Sequence, residues 1–510
     1  MGHPPKFFRS QAVRRMRERR LSSNYGWSHA TRGFGVVLLV VVSSAMPAVA
    51  DWRDEIGYTA LQLELGAATP TGAGVAVSMA EAPTSAGAYM PDVDSSVFSG
   101  ILFTDVTNTS TGVRGHATTT ASHFFGDTNS TAPDVSSVAV FDANDWIDQL
   151  GGVTLTSGFE PVTHASYAVQ NHSWIVPANS GNDLAAIANL SQRIDHLVNR
   201  DGVLIIGGSS NGGSVPHLTG QSYNSILVGN SYEPHGAGQT VTNGVGRQRP
   251  DIVAPETRTS RSTPRVASAA AMLHEAFGGT SASHTEVMRA ALMAGATKDE
   301  FSTWDRTVTR PIDETYGAGE LNVYHSYKIL DGGEFDGSIV SPVSPVGLYG
   351  YDYHSAAPAP SMTPLLYDFH VPTGMVMEEL SVFLQWNIDV RDALTGIDDP
   401  TGELFSPVVD LSPGGDLADF ELTLFDPLGS VIDVSDSPVD NFEHLYLTNL
   451  SEGTYQLQVS GDRADTFGLA WRSSLAAISA TAVPEPSSVL LLIAMGLPLA
   501  LQRRTRPHSS

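Results

Sequence analysis

Cysteine is absent from all 510 residues. Its absence excludes disulfide staples, Cys-ligated zinc, iron–sulfur clusters and thiol catalysis. Basic residues are scarce: 28 Lys and Arg stand against 54 Asp and Glu, a net charge of −26. Phosphates are repelled by such a surface, so nucleic acid is not an expected partner. Charged residues of both signs amount to only 16%, while 41% of the chain is hydrophobic. That is enough for packed cores and too much for wholesale disorder. The length fits two or three domains of ~100–200 residues each.

The scarce positive charge is concentrated at the two ends. Residues 1–50 carry Lys6, Arg9, Arg14, Arg15, Arg17, Arg19, Arg20 and Arg32 against the single acid Glu18, followed by a run without charge from Gly33 to Ala50. A basic start, an apolar centre and the small residues Ala48-Val49-Ala50 describe a secretory signal peptide cleaved before Asp51. The competing reading is an uncleaved anchor, for which the apolar run is short. At the other end, Val483-Pro484-Glu485-Pro486 precedes an apolar stretch over residues 487–501 and the basic Arg503-Arg504-Thr505-Arg506. Under the positive-inside rule this is a stop, an apolar span and a cytoplasmic lock. Residues 483–506 resemble the PEP-CTERM sorting signal of Gram-negative bacteria. That resemblance implies transient inner-membrane association through residues 487–501, an exosortase-type sorting machinery as partner, and a final location in the cell envelope or outside it. A plain tail anchor fits the same physics. Between the ends, residues 51–483 hold 17 basic and 52 acidic residues, a net of −35.

Within residues 51–335, short apolar runs alternate with helical stretches. Val75–Val77, Val138–Phe141, Val203–Ile206 and Ser225–Val228 read as buried strands, Asp183–Val198 and Pro264–Phe277 as helices. The alternation predicts an α/β domain, a parallel sheet covered by helices in three layers. Gly332-Gly333 with Pro342 and Pro345 predicts a linker over 336–346. Over 347–480 helical periodicity disappears. Phe420–Asp426 and Thr454–Val459 alternate at period two between turn signals, which predicts a small all-β sandwich.

Four segments of the first domain carry chemistry. Thr71-Gly72-Ala73-Gly74-Val75-Ala76-Val77-Ser78-Met79-Ala80-Glu81 is a glycine turn feeding a buried strand that ends in a carboxylate; ligands of open α/β sheets collect at the carboxyl ends of strands. Gly115-His116-Ala117-Thr118-Thr119-Thr120-Ala121 sets a histidine before small residues. Ile206-Gly207-Gly208-Ser209-Ser210-Asn211-Gly212-Gly213 runs a strand into an asparagine. Thr259-Ser260-Arg261-Ser262-Thr263-Pro264-Arg265-Val266-Ala267 puts a serine before a helix with proline in its first turn. Taken singly, each has a plain reading: Glu81 as a surface carboxylate, His116 as a structural histidine, Asn211 as a turn residue, Ser260 as an N-cap.

Together and in this order they resemble the subtilisin-like serine peptidases. The family motifs T-G-x-G-V-x-V-x-x-x-D, H-G-T-x-x-A, A-G-N-x-G and G-T-S-x-x-T-P-x-V-A fall on Thr71–Glu81, His116–Ala121, Asn211 and Arg258–Ala267. Arg249–Pro255, Val169–Trp174 and Tyr316–Asn322 match flanking family segments. The resemblance covers residues 65–330 and implies a serine endopeptidase acting on a protein or peptide. Ser260 would be the nucleophile and His116 the general base. Glu81 would orient the imidazole, and Asn211 with the Ser260 N–H would form the oxyanion hole. That chemistry requires no cofactor. Several positions depart from the family. Its Asp is Glu81, its Gly before Thr-Ser is Arg258, its Gly after the histidine is Ala117, its Met-Ala after the serine is Arg261-Ser262, and its helix histidine is Arg265. Some twenty residues from Asp51 to Thr71 leave no room for the family's propeptide. A catalytically inactive scaffold that binds proteins at the cell surface, and a structural surface or matrix protein, are the competing functions. The β domain resembles the bacterial pre-peptidase C-terminal type, which implies surface or substrate attachment. Asp416, Asp419 and Asp426 are candidate oxygen ligands for a structural Ca²⁺, against a plain reading as solvated loop carboxylates. His123, His172, His217 and His284 lack ligand spacing and predict no metal site.

Overall fold

The computed structural model describes residues 51–151, 162–176, 184–213, 217–341, 343–356, 361–392, 407–408 and 417–478. The expected signal peptide, the sorting segment and Asp416 lie outside the described residues. Within them, no helix is long and apolar enough to cross a membrane.

Seven strands form a parallel sheet: β1 (Ala76–Glu81), β2 (Leu102–Asp105), β3 (Ser137–Asp142), β4 (Val169–His172), β5 (Leu204–Gly208), β6 (Ile226–Asn230) and β7 (Ile252–Ala254), in the order β2-β3-β1-β4-β5-β6-β7. The central strands are buried on both faces, which is why β1, β5 and β6 read as largely apolar runs rather than alternating ones; β4 (Val-Gln-Asn-His) is equally buried but polar. The edge strand β2, half exposed, has no such run and escapes a hydrophobicity reading. Helices cover the faces. The three named here are α1 (Gly115–Phe125), α2 (Leu184–Asp201) and α3 (Thr259–Phe277). Helix α3 is buried from Ser262 to Leu273, where its Val-Ala-Ser-Ala-Ala-Ala run lies against β4, β5 and β6; a helix apolar all round belongs in a core. It begins five residues before Pro264, not at it. Proline therefore stands in the second turn, where its missing N–H leaves the Ser260 carbonyl without its intrahelical donor.

From Tyr349 to Ala477 the chain forms a β-sandwich of two antiparallel sheets. Its strands are β8 (Tyr349–His354), β9 (Leu365–Val371), β10 (Met375–Trp386), β11 (Phe420–Phe425), β12 (Val431–Ser435), β13 (Phe442–Leu450), β14 (Gly453–Gly461) and β15 (Phe467–Ala477), ordered β8-β15-β10-β13 and β9-β14-β11-β12. The first sheet is buried on both sides. Leu380, Val382, Leu384 and Trp386 face the second sheet, while Phe383, Phe442 and Ala470 join the core of the α/β domain. Helix α4 (Thr285–Gly295) lies on this outer face. A Cβ added to Gly468 of β15 would stand 2.6 Å from main-chain atoms of Glu286 and Val287, so only glycine allows the approach. Arg472 of β15 donates to the Ala294 and Ala296 carbonyls at 2.9 and 3.1 Å and to Glu379 at 2.6 Å. Arg289 of α4 donates to Asn387 at 2.9 Å. The segment expected as a linker lies along the sandwich, with Phe335 N bonded to Tyr351 O at 2.8 Å and Val346 N to Asp368 O at 2.9 Å.

Candidate active site

Strand β1 ends on Glu81, whose side chain is 1% exposed. Helix α1 starts beside it, with His116 as its second residue. The imidazole Nδ1 lies 2.9 Å from Glu81 Oε2 and 3.0 Å from Oε1. The extra methylene of glutamate, relative to the family's aspartate, is thus taken up by a carboxylate that presents both oxygens to one nitrogen. A third group joins the pair: Arg114 Nε is 3.3 Å from Glu81 Oε1. A buried carboxylate needs this company, since one left unpaired would be several kcal/mol less favourable. Sequence reading did not pick out Arg114. An arginine two residues before a helical histidine carries no signal of its own, because its partner is 33 positions away.

The serine and the asparagine meet at the start of α3. Ser260 is the second residue of the helix and half-buried. Asn211, three residues beyond β5, accepts the Thr259 N–H on Oδ1 at 3.0 Å. With Oδ1 so committed, the Asn211 Nδ2 and the Ser260 N–H are the donors left at this helix end, where unpaired amides carry partial positive charge. The Asn211 loop is pinned from behind, as Gly236 N donates to Ser210 O at 2.8 Å. A Cβ on Gly208 would come within 2.7 Å of Thr263 Oγ1. The bare glycine therefore lets the first turns of α3 sit directly on the carboxyl end of β5. Helices α1 and α3 pack against each other, so the Glu81–His116 pair and the Ser260–Asn211 pair occupy the carboxyl-end rim of one sheet. No hydrogen bond joins Ser260 Oγ to His116 among the described residues. Such contacts are often long in a free enzyme and tighten when substrate binds. Beside Asn211 opens a cleft of about 390 Å³ lined by Glu233, Pro234, Thr257 and Arg258.

The departure at Arg265 has a structural explanation. Its guanidinium bonds to Glu256 at 2.9 Å and stacks over Trp52 at 3.8 Å. His123 Nε2 is 3.2 Å from the same carboxylate. Burial opposes ionisation of Glu256, but the His123 hydrogen bond and the Arg265 charge outweigh it and bring its pKa down to about 2. Glu275, near the far end of α3, was also missed. Its Oε2 accepts the main-chain N–H groups of Thr71, Gly72 and Ala73, the latter two at 2.6 and 3.1 Å. One helix thus carries Ser260 at its start and clamps the glycine turn that leads into β1 near its end.

The remaining histidines sit apart. His172 is fully buried and held neutral, its pKa lowered to about 3 by burial and then by His164; His217 is lowered to about 4 by burial. His284 stacks on Tyr353 with ring centroids 3.8 Å apart. Asp426 accepts the N–H groups of Leu428 and Ser430, each at 2.8 Å, and so closes its own turn. Asp419 N bonds to Asp462 at 3.0 Å. Among the described residues, no group of three or more His, Asp or Glu is placed to hold a metal ion.

No protein-family model matches the chain, and no curated protein does. Solved structures do resemble it. The self-cleaved protease domain of PatA is 18% identical over 52% of this chain and 98% of its own, with a TM-score of 0.36. MycP1 with its N-terminal propeptide removed is 18% identical over 54% of this chain and 96% of its own, at 0.34. A lanthipeptide protease is 15% identical over 55% of this chain and 93% of its own, at 0.38.

Proposed function

We propose that this chain is an exported serine endopeptidase of the subtilisin-like kind, with Glu81, His116 and Ser260 as its triad. The observation that carries the reading is the 2.9 Å contact between buried Glu81 and the partly exposed His116 at the carboxyl end of a central strand. It stands on the same rim as a serine at a helix start. In this reading Ser260 Oγ attacks the scissile carbonyl and His116 Nε2 takes the proton. The Glu81 carboxylate holds Nδ1–H and stabilises the imidazolium. The Ser260 N–H and Asn211 Nδ2 receive the developing oxyanion, a contribution typically of about 10²–10³ in kcat per side-chain donor. His116 then returns the proton to the leaving amine. The chemistry uses no cofactor; a Ca²⁺ bound near Asp419 and Asp426 would be structural only. Export through residues 1–50 and sorting through 483–506 by an exosortase-type partner belong to the same proposal.

The test is labelling of the processed protein by a fluorophosphonate probe. Wild type should label and Ser260→Ala should not. Well-folded wild type that stays unlabelled would favour the second reading, an inactive surface scaffold. The missing Ser260–His116 hydrogen bond and Arg258 in place of the family's glycine are the observations on that side.

A further inference from the structure

Between residues 51 and 483 acids outnumber bases by 52 to 17, so nearly every cation in the body should find a counter-charge. Among the described arginine side chains, all but two find a carboxylate or another oxygen partner. Arg53, Arg114, Arg200, Arg249, Arg265, Arg306, Arg310, Arg463 and Arg472 pair with carboxylates. Arg193, Arg247 and Arg289 are bonded to amide or main-chain oxygens. Arg258 and Arg261 alone, among the arginine side chains described, have neither an ion pair nor a side-chain hydrogen bond. Arg258 is exposed and Arg261 half-buried. They stand two residues before and one residue after Ser260, at the helix end that already carries partial positive charge.

We infer that the groove at Ser260 recognises an acidic peptide, with Arg258 and Arg261 as the residues that select it. Arg258 lines the 390 Å³ cleft next to Asn211. A peptide whose carbonyl lies on Asn211 therefore brings a neighbouring side chain within reach of that guanidinium. Two donors without partners among the described residues, in a body where acids outnumber bases threefold between residues 51 and 483, leave their charge free for a ligand. Glu233 is the one carboxylate in the cleft lining, and it forms no ion pair with Arg258. A ligand carboxylate would enter between them, and the Glu233 charge works against it. The selection deepens the peptidase reading by naming its substrate class. It also holds for a groove that only binds.

The experiment separates the two. Fluorescent peptides that differ only in Glu, Gln or Lys at positions scanned through the sequence are titrated by anisotropy against the full chain carrying Ser260→Ala, which needs no turnover. The Glu peptide should bind about tenfold tighter than its Gln twin at low salt, and the Lys peptide weaker still. The spread should shrink near 1 M salt, where screening acts within ~3 Å. Arg258→Glu with Arg261→Glu should invert the order; acids at a helix start favour the helix, so the fold survives, and Arg258→Gln with Arg261→Gln should flatten it. Glu233→Gln should widen the Glu preference. Equal affinities for the three peptides, no binding by any of them, or a Glu preference that survives the double reversal each overturn the inference. Fluorophosphonate labelling of wild type decides the peptidase reading on its own.

Discussion

Glu81→Asp would restore the residue that subtilisin-like peptidases usually carry, and it should damage this protein. Both carboxylate oxygens lie 2.9–3.0 Å from His116 Nδ1. Removing one methylene retracts them by about 1.5 Å, one carbon–carbon bond. The gap then becomes about 4.4 Å, beyond any hydrogen bond. Glu81 cannot follow by moving the main chain, because β1 is hydrogen-bonded on both sides, to β3 and β4. The imidazole would lose its orientation and the stabilisation of its charged form. Loss of the triad carboxylate costs serine peptidases about 10⁴ in kcat, and misplacement by 1 Å alone can cost about 10². The expected fall therefore lies between about 10² and 10⁴. The assay is the second-order rate of fluorophosphonate labelling, beside kcat on a cleaved peptide, with a thermal melt to show that the variant is folded. A folded Glu81→Asp protein that labels as fast as wild type would refute the role given to Glu81.

Three further predictions concern the scaffold. Burial, aided by the charges of Glu55 and Glu300, raises the pKa of Glu320 from 4.5 to about 7. A carboxyl raised in the folded state favours folding fully below its unfolded value and loses that contribution as the pH climbs through the folded one. Glu320→Gln should thus leave stability at pH 4.5 nearly unchanged and increase it at pH 8 by up to roughly 3 kcal/mol, read from urea melts at the two pH values. Arg472→Met should destabilise by about 3 kcal/mol, since it removes the guanidinium that pairs with Glu379 and donates to the Ala294 carbonyl, while Lys298 still donates to Ala296; a loss under 1 kcal/mol in the same melts would contradict the fixed docking of the sandwich. Glu275→Ala frees three main-chain N–H groups before β1. It should cost about 2 kcal/mol and speed hydrogen exchange at Thr71–Ala73, with exchange in the β-sandwich unchanged.

The sequence was most legible where the physics is local. Strands buried on both faces favour apolar runs, so β1, β3, β5 and β6 could be located from their apolar residues, whereas the equally buried but polar β4 could not. The switch to period two over Phe420–Phe425 and Gly453–Gly461 likewise marked the sandwich, since there one face meets a core and the other does not. Strand β10 breaks that rule. Ser381, Phe383 and Gln385 are as buried as Leu380, Val382 and Leu384, because helix α4 covers the face that a free sandwich leaves wet.

Short-range pattern alone locates the apolar strands, two of the helices and the order of the candidate site residues. Glu81 at a strand end, His116 before small residues and Ser260 ahead of a proline and an alanine-rich run are all visible within a dozen residues of chain. Contacts between distant positions come only from the folded arrangement. Arg114 beside Glu81, Glu275 on the turn before β1, Arg265 between Glu256 and Trp52, and the sandwich fixed to α4 all pair residues far apart in the chain. Side-chain partners of that kind are set by how helices and sheets pack, and packing distance leaves no periodic trace in the order of the amino acids. The same holds for Arg258 and Arg261: their positions beside Ser260 can be read from the chain, but that no carboxylate among the described residues reaches them is a property of the folded surface alone.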